Sequence, residues 1–324
     1  MPIQENLWAL LQETAKQYPL KALKTAAENL ILRYRTAERT GEALVLDETD
    51  AAAYAASRMP ATFAACNAVF RELKNRAPEM QFDALLDVGA GTGAATLAAL
   101  EHFPFKTVTC LERARAMAKI GERLTANASE NAPDIHWISA DFTRLPENTP
   151  RADVVVAAYA MNELSDTARA PVLKRLFDLS NKVLVLVESG TPSQHCLLRA
   201  AAEELVRLGG FVFAPCPAVR DCPLPADDWC HFTVRVQRSR LHRLLKGGDA
   251  PFEDEKFSYL LVSKEPIEPV SGRVLRHPTV NPGRIDLKLC TKEGILLKTC
   301  TRSQKAAFKA ARKLGAGDGI QLEN

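Results

Sequence analysis

The chain has 324 residues, 47% hydrophobic and 25% charged, a composition that suits one large α/β domain with additions or two domains. No apolar run approaches the ~20 residues that cross a bilayer, which argues against a membrane span, and Glu5 and Glu13 near the start predict no secretory or mitochondrial presequence and a cytoplasmic protein. The net charge of +3 is uneven: residues 231–324 hold 18 Lys/Arg against 10 Asp/Glu and residues 1–230 hold 24 against 29, so the C-terminal part points to an acidic partner, nucleic acid first, or to a solvated basic face.

In chain order, apolar residues at helical intervals predict helices over 5–17 (Leu7, Trp8, Leu10, Leu11) and 21–38 (Leu23, Leu30, Ile31, Leu32). Two more are predicted over 51–58 and 61–77, stopped by Met59-Pro60 and by Pro78. Residues 1–80 thus form a helical N-terminal cap, in which Tyr54, Arg58 and Pro60 are given packing roles. Next comes Leu85-Leu-Asp-Val-Gly-Ala-Gly-Thr-Gly93, a short buried strand closed by Asp87, then three alternating glycines and a helix from Ala94 to His102. Gly89, Gly91 and Gly93 allow a tight turn and close approach of a ligand, and the helix behind them is expected to offer unpaired N–H groups. A nucleotide-like ligand follows. Gly89-x-Gly91-x-x-Ala94 also fits a dinucleotide fingerprint, so the loop alone leaves nicotinamide cofactors and S-adenosylmethionine both open.

Beyond the loop, strands are predicted over 106–111, 135–139, 153–158 and 183–187, with helices over 114–124 and 167–179. This alternation implies a doubly wound parallel sheet over residues 81–210, with ligands beyond the carboxyl ends of its strands. Glu112 ends the second strand, where a carboxylate accepts ribose hydroxyls. Asp141 ends the third, where one accepts an adenine amino group while Phe142 packs on the ring. Asp87, Glu112 and Asp141 together resemble the S-adenosylmethionine-dependent methyltransferases with a Rossmann-like sheet, in which the first acid lies beside the amino-acid part of the cofactor. The fourth strand runs into Tyr159-Ala-Met-Asn-Glu-Leu-Ser-Asp166, which is neither Asn-Pro-Pro-aromatic nor a cysteine beside a proline. Asn162 and Glu163 fit either an orienting role or a helix entry with Ser165 as N-cap, and no catalytic residue is assigned.

Eight cysteines without a secretory signal are not a disulfide framework. Cys66, Cys110 and Cys196 fall inside helix or strand patterns and are expected to be buried core thiols. Cys216, Cys222 and Cys230 lie in a proline-rich stretch from Phe211 to His231 that reads as irregular. Three thiolates there want a soft metal, zinc or an iron–sulfur cluster, with a fourth donor among Cys290, Cys300 and His231. Val234–Lys246 reads as a basic amphipathic helix carrying Arg235, Arg238, Arg240, Arg243 and Lys246, and residues 211–257 are assigned to the cysteine-rich loop and this helix. Residues 258–324 follow as a last core strand (257–263) and a basic extension, with an antiparallel pair over 273–290 and 295–300 turning at Thr291–Gly294. A final helix over 303–313 places Lys305, Lys309, Arg312 and Lys313 largely on one face; phosphate neutralisation by such groups makes binding steeply salt-dependent.

The glycine loop, Val187-Glu-Ser-Gly-Thr-Pro192, Phe213-Ala-Pro-Cys-Pro217 and Trp229-Cys-His-Phe232 carry a more specific likeness. From about Tyr54 to Cys290 the chain resembles the methyltransferase-like proteins of the small ribosomal subunit, known from mitochondria and bacteria. That resemblance implies an α/β fold: a Rossmann-like S-adenosylmethionine-dependent methyltransferase sheet with a helical N-terminal cap, a cysteine-rich metal-binding insertion and a small basic C-terminal β-containing extension. It implies S-adenosylmethionine at Asp87, Gly89, Gly91, Gly93, Glu112, Asp141 and Phe142. It further implies a 4Fe-4S cluster, with zinc as the alternative, on Cys216, Cys222, Cys230 and Cys290, leaving out Cys300 and His231. The implied partners are small-subunit rRNA and the small subunit or its precursor, in the bacterial cytoplasm. The alternatives are a non-catalytic assembly factor that keeps the fold, and a zinc-containing methyltransferase acting on another substrate.

Overall fold

The computed structural model describes residues 3–36, 45–126, 133–217, 222–225 and 227–322. The chain falls into two units, one of Met1–Val187 with Val234–Glu255 and one of Glu188–Thr233 with Lys256–Asn324. The first opens with α1 (Ile3–Lys16) and α2 (Leu20–Thr36), which bury Leu7, Leu11, Leu23 and Leu30; residues 37–38 of the expected second helix lie outside the described residues. Asp47 caps α3 (Glu48–Ser57) by accepting the Asp50 N–H at 2.8 Å, and the helix is almost wholly buried because alanine fills it. α4 (Met59–Arg76) follows at once, with Pro60 in the first turn where its missing N–H costs nothing.

Strand and helix then alternate: β1 (Ala84–Val88), α5 (Ala94–Leu100), β2 (Thr107–Leu111), α6 (Arg115–Ala126), β3 (Asp134–Ile138), β4 (Ala152–Ala158), α7 (Asp166–Leu179) and β5 (Ser180–Ser189). All pair in parallel, in the order β3-β2-β1-β4-β5. The chain steps outward from β1 to β3 and returns to β4 beside β1, so strand order reverses between β1 and β4. The crevice beyond their carboxyl ends is where such sheets take ligands. Val154–Ala157 and Val183–Val187 are fully buried, which is why these strands read as unbroken apolar runs.

Further along come α8 (Pro192–Arg207), β6 (Phe211–Ala214), β7 (Phe232–Gln237), α9 (Arg240–Lys246) and β8 (Phe252–Ser263). The single basic helix expected over Val234–Lys246 is instead the end of a strand and a shorter helix. Phe232 and Val236 are buried while Thr233, Arg235 and Gln237 are exposed, the period of two that a strand requires. The Ser239 side chain then accepts the His242 N–H at 3.1 Å to start α9, and Gly247 at φ +65° ends it.

In the second unit, Thr191 caps α8, whose buried side is Gln194, Leu198, Ala201, Ala202 and Leu205. Cys196, expected in the core, is exposed because two residues past Gln194 is nearly the opposite side of a helix. The proline-rich stretch, expected to be irregular, begins as a strand: β6 pairs antiparallel with β8, Val212 opposite Val262. A small second sheet comprises β9 (Gly272–Val274), β10 (Thr279–Asn281), β11 (Arg284–Thr291), β12 (Gly294–Thr301) and β13 (Gly319–Ile320), in the order β10-β11-β9-β13 with β12 along β11. The hairpin turn falls at Thr291–Gly294 as expected, but the long strand over 273–290 is three shorter ones. Val274, Ile285, Leu287, Leu289 and Cys300 form this sheet's core with Phe308 of α10 (Lys305–Ala311) packed against it. Among the described residues no helix is long and apolar enough to cross a membrane.

Candidate functional site

At the end of β1 the loop glycines Gly89, Gly91 and Gly93 all have positive φ, +71°, +58° and +82°. Gly89 has a second reason to lack a side chain, since a Cβ there would stand 3.1 Å from Ala160 just past β4. The amides of this loop are already engaged. Gly89 and Ala90 donate to the Leu111 carbonyl at 2.9 and 3.0 Å, Gly91 to Glu112 Oε2 at 2.9 Å, and Gly93 to the Ala90 carbonyl at 2.8 Å. Nor is the start of α5 as open as the sequence predicts, because Asp87 Oδ2 accepts the Thr96 N–H at 3.0 Å and its hydroxyl at 2.7 Å. Two buried polar atoms here, Asp87 Oδ1 and Thr92 Oγ1, have no hydrogen-bond partner among the described residues.

Burial lifts the Asp87 carboxyl to about 6, helped by the charge of Glu112 and opposed by its bonds to Thr96. Glu112 is also raised by burial, although the Ala114 and Gly91 N–H groups hold its oxygens at 2.7 and 2.9 Å. Both oxygens keep a further lone pair for hydroxyl donors. Asp141 accepts the Thr143 N–H at 2.9 Å; against the cost of burial, Thr143 and nearby Arg113 and Arg144 hold it below the usual carboxylate range. Phe142 is buried, with its ring 3.9 Å from the point where a Gly89 Cβ would stand. Asn162 and Glu163 lie on the one-turn 3-10 helix after β4, and Ser165 takes the N-cap position of α7 without a side-chain capping bond, its hydroxyl lying 3.2 Å from that of Thr167. Burial lifts Glu163 to about 7, with Arg113 opposing and Glu112 adding to the rise.

One constellation escaped the sequence. Arg58, between α3 and α4, donates to both oxygens of Glu255 at 2.9 and 2.8 Å, and the Tyr159 hydroxyl donates to the same carboxylate at 2.9 Å. The guanidinium lies 5.1 Å from the Tyr159 ring centre. Tyr159 itself is the described non-glycine residue with positive φ, +56°, a strained geometry for an aromatic residue at a carboxyl strand end. The available signal was a lone arginine in an alanine-rich run beside Met59-Pro60.

In the second unit Cys216, Cys222 and Cys230 lie within electrostatic reach of Cys290 of β11. Burial raises the Cys230 thiol far above its ordinary value, and Cys216, Cys290 and Cys222 add to the rise; burial, Cys216 and Cys222 push Cys290 up to about 12. Four thiols therefore act on one another electrostatically, with Arg273 and Arg199 opposing the rise at Cys216 and Cys290. Among the described residues no group of three or more Cys, His, Asp or Glu side chains that could hold a metal ion is found. Cys300 is buried in the core of the small sheet, and His231 packs on Trp229 with ring centres 5.2 Å apart. Asp228 pairs with Arg276 and, at 3.0 Å, with Lys288.

The cations divide into two groups. Arg235 is bound to Asp254 at 2.8 Å, and Arg238 and Lys246 share Glu253 at 2.6 and 2.8 Å. Lys305, Lys309, Arg312 and Lys313 are exposed and make no ion pair among the described residues.

Comparison with known proteins adds four likenesses. A family model described as mitochondrial small ribosomal subunit Rsm22 matches residues 48–321. The human protein named mitochondrial ribosome assembly protein METTL17 is 30% identical over 286 residues, 82% of this chain and 61% of its own length. A trans-aconitate 2-methyltransferase of Deinococcus radiodurans is 31% identical over 147 residues, 44% of this chain and 52% of its own. The chain thus spans less than two thirds of either relative. Among solved structures, the magnesium protoporphyrin IX methyltransferase of Synechocystis with bound S-adenosylmethionine is 11% identical, covers 72% of this chain and 91% of its own, and has a TM-score of 0.42.

Proposed function

Because this chain belongs to the family described as mitochondrial small ribosomal subunit Rsm22, we propose that it is an S-adenosylmethionine-binding, iron–sulfur-bearing methyltransferase-like factor that assembles the small ribosomal subunit through its rRNA. The observation that carries this reading is that Arg273, opposite Cys290 in the ladder, bonds the Pro215 carbonyl beside Cys216, with the thiols of Cys216, Cys222, Cys230 and Cys290 within electrostatic reach. An iron–sulfur core spaces its four thiolates wider than one ion does. Four cysteines on two segments are the donor set that such a cluster takes, with zinc as the alternative.

The glycine-loop crevice supports S-adenosylmethionine over a dinucleotide. With the Gly89, Ala90, Gly91, Gly93 and Thr96 amides engaged and the Asp87 carboxylate at the start of α5, a pyrophosphate would meet a negative charge there. The same carboxylate, with Oδ1 open, suits a cationic ammonium; Glu112 suits the ribose hydroxyls, and Asp141 with Phe142 the adenine. When bound, S-adenosylmethionine supplies an electrophilic methyl group, and the residues around it have only to orient the acceptor and exclude water. Incubation with labelled S-adenosylmethionine and small subunits at several assembly stages is expected to label rRNA, and absence of label at every stage refutes transfer. Protein purified without oxygen is expected to be brown and to contain iron, and a colourless protein with one zinc per chain refutes the cluster. Cys290→Ser is expected to lose the iron and Cys300→Ser to keep it.

A second reading, a non-catalytic assembly factor, is favoured by one observation. The carboxyl end of β4, where acceptor-side groups belong, is tied up in the Arg58–Glu255–Tyr159 network. The labelling experiment separates the two readings.

A further inference from the structure

The largest fully buried side chain among the described residues is a cation, Arg273, at 1% exposure in the middle of β9. A guanidinium so deep is costly unless negative charge and acceptors surround it. Its surroundings are built for it. Nε donates to the Pro215 carbonyl at 2.9 Å, the group immediately before Cys216, and Nη1 donates to the Gly317 carbonyl at 2.9 Å. Across the ladder Arg273 stands directly opposite Cys290, and on its other side opposite Gly319, where a Cβ would come within 3.4 Å of Nη1 and 2.5 Å of Val270. Side chains directly opposite on antiparallel strands have Cβ atoms about 5 Å apart. One guanidinium therefore touches the loop that carries Cys216 and neighbours the strand that carries Cys290, and a glycine on the next strand leaves it room.

We propose that Arg273 is the positioning residue and counter-cation of the four-cysteine site: it ties the loop ligands to the strand ligand, and its buried charge offsets the negative charge of the thiolate-held iron–sulfur group. This rests on the reading of the four cysteines as cluster ligands. A planar fork can hold both carbonyls at once, which an ammonium cannot. Reduction adds an electron to an already anionic site, so a fixed cation nearby favours the reduced form, and its removal shifts the potential downward. Packing alone predicts no such shift.

The test uses the full chain, purified without oxygen as wild type, Arg273→Met and Arg273→Lys. Iron and sulfide content, the rate of iron loss to a chelator and the reduction potential by spectroscopic titration are measured. Arg273→Met is expected to release iron roughly 10- to 100-fold faster, the usual scale for loss of an outer-shell partner, and to have a more negative potential. Arg273→Lys is expected to keep the potential close to wild type while releasing iron faster, because it restores charge but not the fork. Wild-type potential and release rate in Arg273→Met overturn the proposal while leaving the cluster reading intact. A wild-type chain without iron and sulfide overturns the cluster reading and the proposal with it. If Arg273→Met does not fold, Arg273→Lys decides: a potential as far from wild type as that of a cluster-distorting Gly319→Val control, or wild-type iron release, overturns the proposal.

Discussion

Asp87 carries opposite demands at a single carboxylate. Its Oδ2 serves Thr96 as the anion at the start of α5, while Oδ1 is buried without a partner among the described residues. Burial raises it from an ordinary value near 3.9 to about 6. An acid raised on folding adds stability that is complete below its unfolded value and is lost as pH rises through its folded value. The loss here falls between about pH 4 and pH 6 and amounts to roughly 3 kcal/mol. Glu112 and Glu163, also raised by burial, act in the same direction, Glu163 extending the loss to about pH 7. Asp87→Asn keeps an oxygen for Thr96 and removes the charge. His102, His195 and His231, lowered by burial, act in the opposite direction, so the reading is the difference: between pH 5 and pH 8 urea unfolding is expected to show Asp87→Asn gaining stability relative to wild type, while S-adenosylmethionine binding by calorimetry weakens at least about tenfold through loss of a charge-assisted partner. An equal change in both proteins would place the pH dependence elsewhere.

At the level of elements, the glycine loop is supported from behind by a packed column. A Cβ on Gly121 of α6 would lie 2.1 Å from the Trp137 ring of β3, and a Cβ on Gly93 would lie 3.1 Å from Thr125 and 3.4 Å from Trp137. Trp137 also donates to the Thr125 hydroxyl at 3.3 Å. Gly121→Ala is expected to cost about 1–3 kcal/mol by overpacking, with altered tryptophan fluorescence and weaker cofactor binding, because the indole can shift only toward the loop or out of its bond. Thermal denaturation with wild-type midpoint would contradict this close packing. The column also shows what was legible in advance. Apolar runs located β1, β4 and β5 because parallel strands bury both faces, and the glycines located the loop because few other sequences combine such a turn with close approach. The strand at Phe232–Gln237 was legible too, but its period of two was overridden by the leucines of α9 and a count of arginines. Arg58 and Glu255 were not legible, since 197 residues separate them and a pair of that kind has no local signature. In the sequence Arg273 only opens a predicted strand; the ladder that sets it opposite Cys290 gives it a further place.

Across the whole molecule the C-terminal excess of 18 Lys/Arg over 10 Asp/Glu already counts Glu253 and Asp254, which hold Arg235, Arg238 and Lys246 in place. The exposed cations of the C-terminal helix remain. Replacing Lys305, Lys309, Arg312 and Lys313 by Gln is expected to reduce the slope of log affinity for rRNA against log salt by up to about 3, whereas Arg238→Gln with Lys246→Gln is expected to lower stability and leave the slope unchanged. Filter binding over a salt series distinguishes the two, and an equal change in slope would place phosphates at both. The division of the chain into units makes a further demand on the cysteine site. Cys216, Cys222, Cys230 and Cys290 all belong to the unit of Glu188–Thr233 and Lys256–Asn324, and the buried strands of the parallel sheet belong to the other. A group that binds only the folded state stabilises the segments that hold it. Those segments are the loop after β6 and the ladder of β9, β11 and β12, which presents Cys290 between Arg273 and Ile295. Hydrogen exchange on Cys290→Ser, measured beside wild type under anaerobic conditions, is therefore expected to quicken in β6, β9, β11 and β12 while β1, β4 and the first eight residues of β5 keep their protection. Equal quickening in both units would mean that the cysteines support the fold as a whole, and no change in either would mean that Cys290 holds nothing.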